Sequence, residues 1–256
     1  MPSFAALVPG RASLGVLRRS LPRGGARLIP CRNATQLHQL LHERLFDGVV
    51  LGGGEAGAGE LTAFRASFPV FPLVAWGGFR PDDGELLTGW NRAGATVLVE
   101  GVDDAVAGEL LRRCTLAAER RRLLADGPRL LRLTDPLQRR AWDLVLEQVD
   151  RPARTSALAR ELDVSREHLS RQFGAGGAPN LKRVIDLVRM VTAAQLLANP
   201  ALELADVVRV LHFASLSHLT RTARRITGQP ATELARLGPR GVLTGFLRGK
   251  TRSRSA

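Results

Sequence analysis

The stretch Ser156-Ala-Leu-Ala-Arg-Glu-Leu-Asp-Val-Ser165-Arg-Glu-His-Leu-Ser-Arg-Gln-Phe173 spells a short helix, a turn, and a second helix opened by a serine. A serine in that position caps the second helix by accepting a hydrogen bond from a free backbone N–H of its first turn. Leu158, Ala159, Leu162, Val164, Leu169 and Phe173 fall where the two helices would pack together. Arg166, Glu167, Ser170 and Arg171 fall on the outer face. The pattern returns in Leu204-Ala-Asp-Val-Val-Arg-Val-Leu-His-Phe-Ala-Ser215-Leu-Ser-His-Leu-Thr-Arg-Thr-Ala-Arg-Arg-Ile226, with apolar residues at the same offsets and a serine before its second helix.

Between the two units, apolar residues stand at 181, 184, 185, 188, 191, 194 and 197. This is helical spacing sustained over several turns. A helix from Leu181 to Ala198 would be roughly 27 Å long and would act as a rigid spacer. Successive major-groove faces on one side of a DNA duplex lie ~34 Å apart, so two recognition helices held by such a spacer could enter adjacent grooves.

At these residues the chain resembles the DNA-binding domain of AraC/XylS-type transcription regulators, over about 100 residues from Pro136 to Gly238. Ser165 to Phe173 resembles the first recognition helix, Arg189 with Ala193, Ala194 and Leu197 the linker helix, and Phe213 through Thr227-Gly-Gln-Pro230 the second half and its closing signature. The resemblance implies that base edges are met by Arg166, Glu167, Ser170 and Arg171 in the first half and by Leu216, Ser217, Thr220 and Arg221 in the second. It further implies double-stranded DNA as partner, RNA polymerase as a second contact of an activator, and a cytoplasmic location. The sequence departs from the family at four places. Asp163 and His212 stand where glycine is usual in the turns, and both types tolerate positive φ better than most. Ala223 and Leu234 replace a bulky aromatic and a tyrosine, so the second half is expected to pack more loosely or bind less specifically.

Charge follows the same division. Residues 1–126 carry 15 Arg against 13 Asp and Glu, net +2, whereas 127–256 carry 22 Lys and Arg against 11 acids, net +11. A basic domain is drawn to a phosphate backbone, with a salt-dependent share of the affinity. Cys31 and Cys114 have no metal-type spacing and are expected as buried thiols, and His38 and His42 as solvent-facing side chains on a helix. No metal and no cofactor is expected. No run of apolar residues reaches the ~18 to 20 that a membrane span needs.

The N-terminal part alternates short apolar strands with helices. Strands are expected at Phe4 to Pro9, Ala26 to Pro30, Gly48 to Leu51, Pro72 to Trp76 and Ala95 to Val99. Helices are expected at about 12–21, 34–44, 59–67 and 82–93, with one long helix from Asp103 to about Leu124. Such alternation gives a parallel α/β sheet with helices on both faces, flavodoxin-like, followed by an all-α domain with two helix-turn-helix units. The order and lengths are similar to a receiver domain of bacterial response regulators, with Phe46 to Gly52 and Ala93 to Val99 the best local pieces. The residues such a domain uses for phosphorylation are missing. No acid precedes Glu43, Gly52 stands where the resemblance puts the acceptor aspartate, Gly77 where a hydroxyl residue is usual, and the only lysines are Lys182 and Lys250.

The expected organisation is thus a receiver-like domain over 1–126 that works without phosphorylation, closed by Asp126-Gly-Pro128, a double helix-turn-helix domain over 127–238, and a loose basic tail over 239–256. The function expected is sequence-specific transcription regulation, not enzymatic, with the N-terminal domain sensing a signal or holding a homodimer. Two rival readings stay open. In one, the chain is a protein-interaction module that has lost specific DNA binding. In the other, the α/β domain is an enzyme targeted by the helical domain, although its sheet edge lacks a nucleophile beside a base, paired carboxylates, or a histidine cluster.

Overall fold

The computed structural model describes residues 1–21, 25–53, 55–80, 82–151, 154–174 and 177–252. Two compact units result, Met1–Glu119 together with Asn199–Ala201, and Arg120–Ala198 together with Leu202–Ala256. The break expected at Asp126-Gly-Pro128 lies inside the second unit.

The first unit runs β1 (Ser3–Leu7), α1 (Arg11–Ser20), β2 (Arg27–Pro30), α2 (Ala34–Glu43), β3 (Gly48–Gly52), α3 (Glu55–Ser67), β4 (Leu73–Gly77), α4 (Gly84–Arg92), β5 (Thr96–Val99) and α5 (Ala107–Arg113). All strand pairs are parallel and the order is β2-β1-β3-β4-β5, the flavodoxin-like order expected from the alternation. The chain steps outward from β1 to β2 and then back past β1 through β3, β4 and β5, so right-handed crossovers put α1 on one face and α2, α3 and α4 on the other. On one face Phe4, Ala6, Val50, Val74, Trp76 and Leu98 meet Leu17 of α1 with Ala107 and Leu111 of α5. β3 is buried at every residue, which is why it reads as a continuous apolar run rather than an alternating one.

Three expectations are corrected here. The single helix from Asp103 to Leu124 is broken, because α5 ends at Arg113 and α6 (Leu116–Leu123) starts afresh. The Thr115 hydroxyl accepts a hydrogen bond from the Ala118 N–H at 2.9 Å and so caps the new helix, which the uninterrupted apolar spacing could not reveal. His38 is not solvent-facing. It is half-buried, with its ring edge-on to Phe64 and Phe68 at centroid distances of 6.4 and 5.3 Å. Burial, and secondarily the charge on His42, lower its pKa from 6.5. The neutral form is therefore favoured on folding. Its contribution to stability is complete above 6.5 and is lost as the pH falls through the lower folded value. The urea midpoint of the first unit is expected to drop between neutral pH and about pH 5, and to drop less in His38→Phe; equal pH sensitivity in both would remove His38 as the cause. Cys31 is buried, and its thiol is pushed up to about 11 by that burial. Cys114 is only half-buried and shares a 3.1 Å hydrogen bond with the Thr96 hydroxyl.

The second unit is helical, with α7 (Gly127–Leu130), α8 (Pro136–Glu147), α9 (Thr155–Glu161), α10 (Arg166–Gly174), α11 (Leu181–Leu197), α12 (Leu204–Val210), α13 (Leu216–Thr227) and, after a 3-10 turn at Ala231–Glu233, α14 (Leu234–Arg252). Asp135 and Gln138 close a capping box at the start of α8, with Pro136 in the first turn. α11 is the central element, buried on nearly all sides from Val184 to Leu196, including Asp186, Arg189, Thr192 and Gln195. The stretch from residue 239, expected as a loose tail, is instead helical through Arg252 after a break at Gly238 (φ 60, ψ 175), and it packs on α11 and α13 with Val242 and Phe246 fully buried. Among the described residues, no helix is long and apolar enough to cross a membrane.

Candidate nucleic-acid interface

In both helix-turn-helix units the turn is built by the same backbone bonds. The first helix ends with the Asp163 N–H on the Arg160 carbonyl (3.2 Å) and the Val164 N–H on the Ala159 carbonyl (3.0 Å). The second repeats this with His212 on Arg209 (3.2 Å) and Phe213 on Val208 (2.9 Å). This is the closure that requires a left-handed residue after the helix. Asp163 and His212 adopt it, each with φ 55, as the sequence led one to expect. His212 is held further by its Nε2, which shares a 3.0 Å hydrogen bond with the Asp150 carbonyl oxygen. Each recognition helix then starts on its serine: Ser165 Oγ accepts from the His168 N–H, and Ser215 Oγ from the His218 N–H, both at 3.1 Å. Ala214 makes the second turn one residue longer than the first.

The caps fix which side of each helix faces inward. Leu169 and Phe173 of α10, and Leu219, Ala223 and Ile226 of α13, are buried. Arg166, Glu167, Ser170 and Arg171 are all exposed on α10. On α13, Leu216, Ser217 and Arg221 are exposed and Thr220 is half-buried. Leu216 keeps 51% of its surface in solvent, an apolar side chain left uncovered on an otherwise polar face. Arg224 is exposed as well.

The supports of the two recognition helices are polar, long-range, and absent from the sequence expectations. The Asp135 carboxylate accepts from Gln172 at 3.0 Å, and Gln138 donates to the Gln172 carbonyl at 2.7 Å, so α8 clamps the C-terminal end of α10. The Gln172 hydrogen bond, with backbone bonds from Leu137 and Gln138, holds the Asp135 carboxyl below the usual carboxylate range. The second half hangs from Asp186 of α11, which is fully buried. Arg225 of α13 binds it directly, Lys182 lies at 3.6 Å and Arg189 at 4.0 Å. Arg189 also donates to the Leu211 carbonyl at 2.7 Å and lies 3.6 Å over the Phe213 ring. Its guanidinium thereby ties the linker helix to the second turn. His218, packed against Phe213, has its pKa lowered by burial and by the Arg189 charge. A lone acid on the apolar α11, three residues before Arg189 and four after Lys182, was the one local signal of this network.

Ala223 and Leu234, the replacements expected to loosen this half or its reading of DNA, are both fully buried. α14 adds an aromatic to this half, with Phe246 under the Arg183 guanidinium at 5.2 Å. Gly245 lies so close to the end of α13 that a Cβ there would stand 2.9 Å from the Thr227 carbonyl oxygen.

Two recognition helices, each capped and outward-facing, on one buried linker helix define a double helix-turn-helix domain. Residues 158–236 match the family model of a helix-turn-helix domain, consistent with the AraC-type resemblance and leaving the sheet-bearing unit outside the match. No curated protein matches the chain significantly. Among solved structures, a response regulator from Thermotoga maritima aligns at 17% identity over 44% of this chain and 97% of that one, with a TM-score of 0.39. Full-length FixJ from B. japonicum aligns at 19% identity over 87% and 95%, also with a TM-score of 0.39. The assignment of the first unit rests on its strand order, not on these alignments.

Proposed function

We propose that the chain is a sequence-specific DNA-binding transcription regulator whose α/β unit senses a signal, or pairs two copies, without phosphorylation. The observation that carries this reading is the matched pair of recognition helices, each presenting exposed polar and cationic side chains and each fastened to the rest of its domain by buried or capping polar groups. Arg166, Glu167, Ser170 and Arg171 would read one tract, and Leu216, Ser217, Thr220 and Arg221 the other, with RNA polymerase as a further partner if the protein activates. Its work is binding rather than catalysis, and it operates in the compartment that holds the DNA.

The test is a gel-shift titration over salt, against random DNA and against sites selected from a random pool. A bipartite consensus is expected. Arg171→Ala should cost ~1 to 3 kcal/mol on the selected site and relax preference at one or two base pairs. Equal losses on selected and random DNA would make Arg171 a phosphate contact, and no preference for any site would return the chain to the interaction-module reading.

Independence from phosphorylation is supported by what occupies the end of β3. A Cβ on Gly52 would stand 2.3 Å from Pro9 Cδ, so a proline ring fills the space an acceptor side chain would need. Beyond the sheet, Glu100 accepts a 2.5 Å hydrogen bond from Ser13, whose hydroxyl in turn accepts from the Trp76 indole Nε1–H at 3.0 Å, placing a carboxylate where an incoming phosphoryl group would want a cation. Incubation with a small-molecule phosphodonor and magnesium should leave both intact mass and DNA affinity unchanged, in the native chain and in Gly52→Asp. A stable adduct on the native chain with altered affinity would refute this part of the reading.

A further inference from the structure

The two recognition helices can be matched residue by residue. Each opens on a serine that accepts from a histidine N–H at 3.1 Å, and each buries the leucine that follows that histidine, Leu169 in α10 and Leu219 in α13. Equal caps and equal buried residues give both helices the same rotation, so positions counted from the serine face outward alike. Ser170 and Arg171 of α10 correspond to Thr220 and Arg221 of α13, which keep their chemistry. Directly after the serine they part: α10 has Arg166 and α13 has Leu216.

Both side chains are exposed. Among the described residues, the large apolar side chains left in solvent are Met1, Val70, Val102 and Val106 in the first unit, and Leu216 in the second. A single exposed leucine is ordinary on a protein surface, and what marks this one is its place. Its outward neighbours on α13, Ser217, Arg221 and Arg224, are polar or cationic, so it does not stand in an apolar patch that a protein partner would cover.

The N-terminal residues of a recognition helix are those that meet base edges. A leucine there neither donates nor accepts, so it offers nothing to a phosphate or to the amino, carbonyl and ring-nitrogen groups of the major groove. Set against those groups it would displace their water without replacing the hydrogen bonds. Among the bases only thymine turns an apolar group, its C5-methyl, into that groove.

We propose that Leu216 reads a thymine by packing on its C5-methyl, so that α13 selects by apolar contact at the position where α10 presents a guanidinium. The proposal rests on the DNA-binding reading and adds the identity of one base to it. Because the contact is with the methyl group, 5-methylcytosine should be preferred to cytosine at the same position.

The test uses the full chain and a duplex carrying the selected site, with each thymine replaced in turn by deoxyuridine, which keeps the base pair and the O4 acceptor and lacks only the methyl. At one thymine the native chain is expected to lose about three- to fivefold in affinity, the worth of one buried methyl group. In Leu216→Ala the thymine and deoxyuridine forms should bind equally at that position, with the thermal transition showing that the variant still folds. Arg221→Ala should weaken binding yet keep the preference for the methyl. A selected site in which no deoxyuridine replacement matters, or methyl effects that all persist in Leu216→Ala, would overturn this proposal and leave the DNA-binding reading standing. The absence of any selected site would remove both.

Discussion

Asp186→Ala is expected to destabilise the second unit by about 3–5 kcal/mol, the cost of removing one partner from a buried ion pair. The carboxylate is fully buried and faces Arg225, Lys182 and Arg189. Lys182 and Arg225 reach solvent and can rehydrate once it is gone. Arg189 cannot, because only 7% of it is exposed. The penalty thus falls mainly on one uncompensated guanidinium, whose remaining partners are the Leu211 carbonyl and the Phe213 ring. Asp186→Asn keeps a hydrogen-bond acceptor and should cost less. Pairing the substitution with Arg189→Met should recover part of the loss, since a buried pair replaced by apolar groups is often nearly neutral. Calorimetric unfolding of the full chain, resolved into its transitions, measures all three. If Asp186→Ala and Asp186→Asn melt alike and within a degree or so of the native chain, the network is not what holds α13 to α11.

Phe246→Ala should cost a similar amount, about 3–5 kcal/mol, the range for deleting a buried aromatic ring. The ring is fully enclosed, and Arg183 lies over it. Its removal leaves a void where α14 meets its neighbours, and Gly245 holds the backbone too near Thr227 for the helix to settle inward. Hydrogen exchange should show residues 239–249 losing protection before α11 does. An unchanged melting transition with unchanged protection would mean that this helix is not docked as described.

Phe246 also shows where sequence reading stopped. Val242, Leu243, Phe246 and Leu247 have helical spacing, but glycines at 241, 245 and 249 interrupt them. Each glycine costs a helix about 1 kcal/mol against alanine, so the stretch reads as loose. At Gly245 the missing side chain is what lets two backbones approach, and tertiary packing outweighs propensity. The strands were legible because apolar runs bounded by turn residues are a local signal, and the recognition faces because Ser165 and Ser215 fix the start, and hence the rotation, of each helix. The turn conformations of Asp163 and His212 followed from where they stand in the pattern. The Thr115 break was hidden since apolar spacing runs on through it, and the pairings of Asp186 with Arg225 and of Asp135 with Gln172 join residues too distant in sequence for any window to connect.

The burial of α11 has a consequence for the DNA. A helix of 17 residues that is packed on almost every side can neither bend nor twist to suit its target. If the outward faces of α10 and α13 read DNA as proposed, the two surfaces are fixed in rotational phase, and any mismatch would have to be absorbed by torsion of the duplex. Adding a single base pair between two contact tracts turns one relative to the other by about a tenth of a helical turn, and adding about five places it on the far side of the DNA. For such a protein the number of base pairs between the tracts is as much a part of the recognised sequence as the bases themselves.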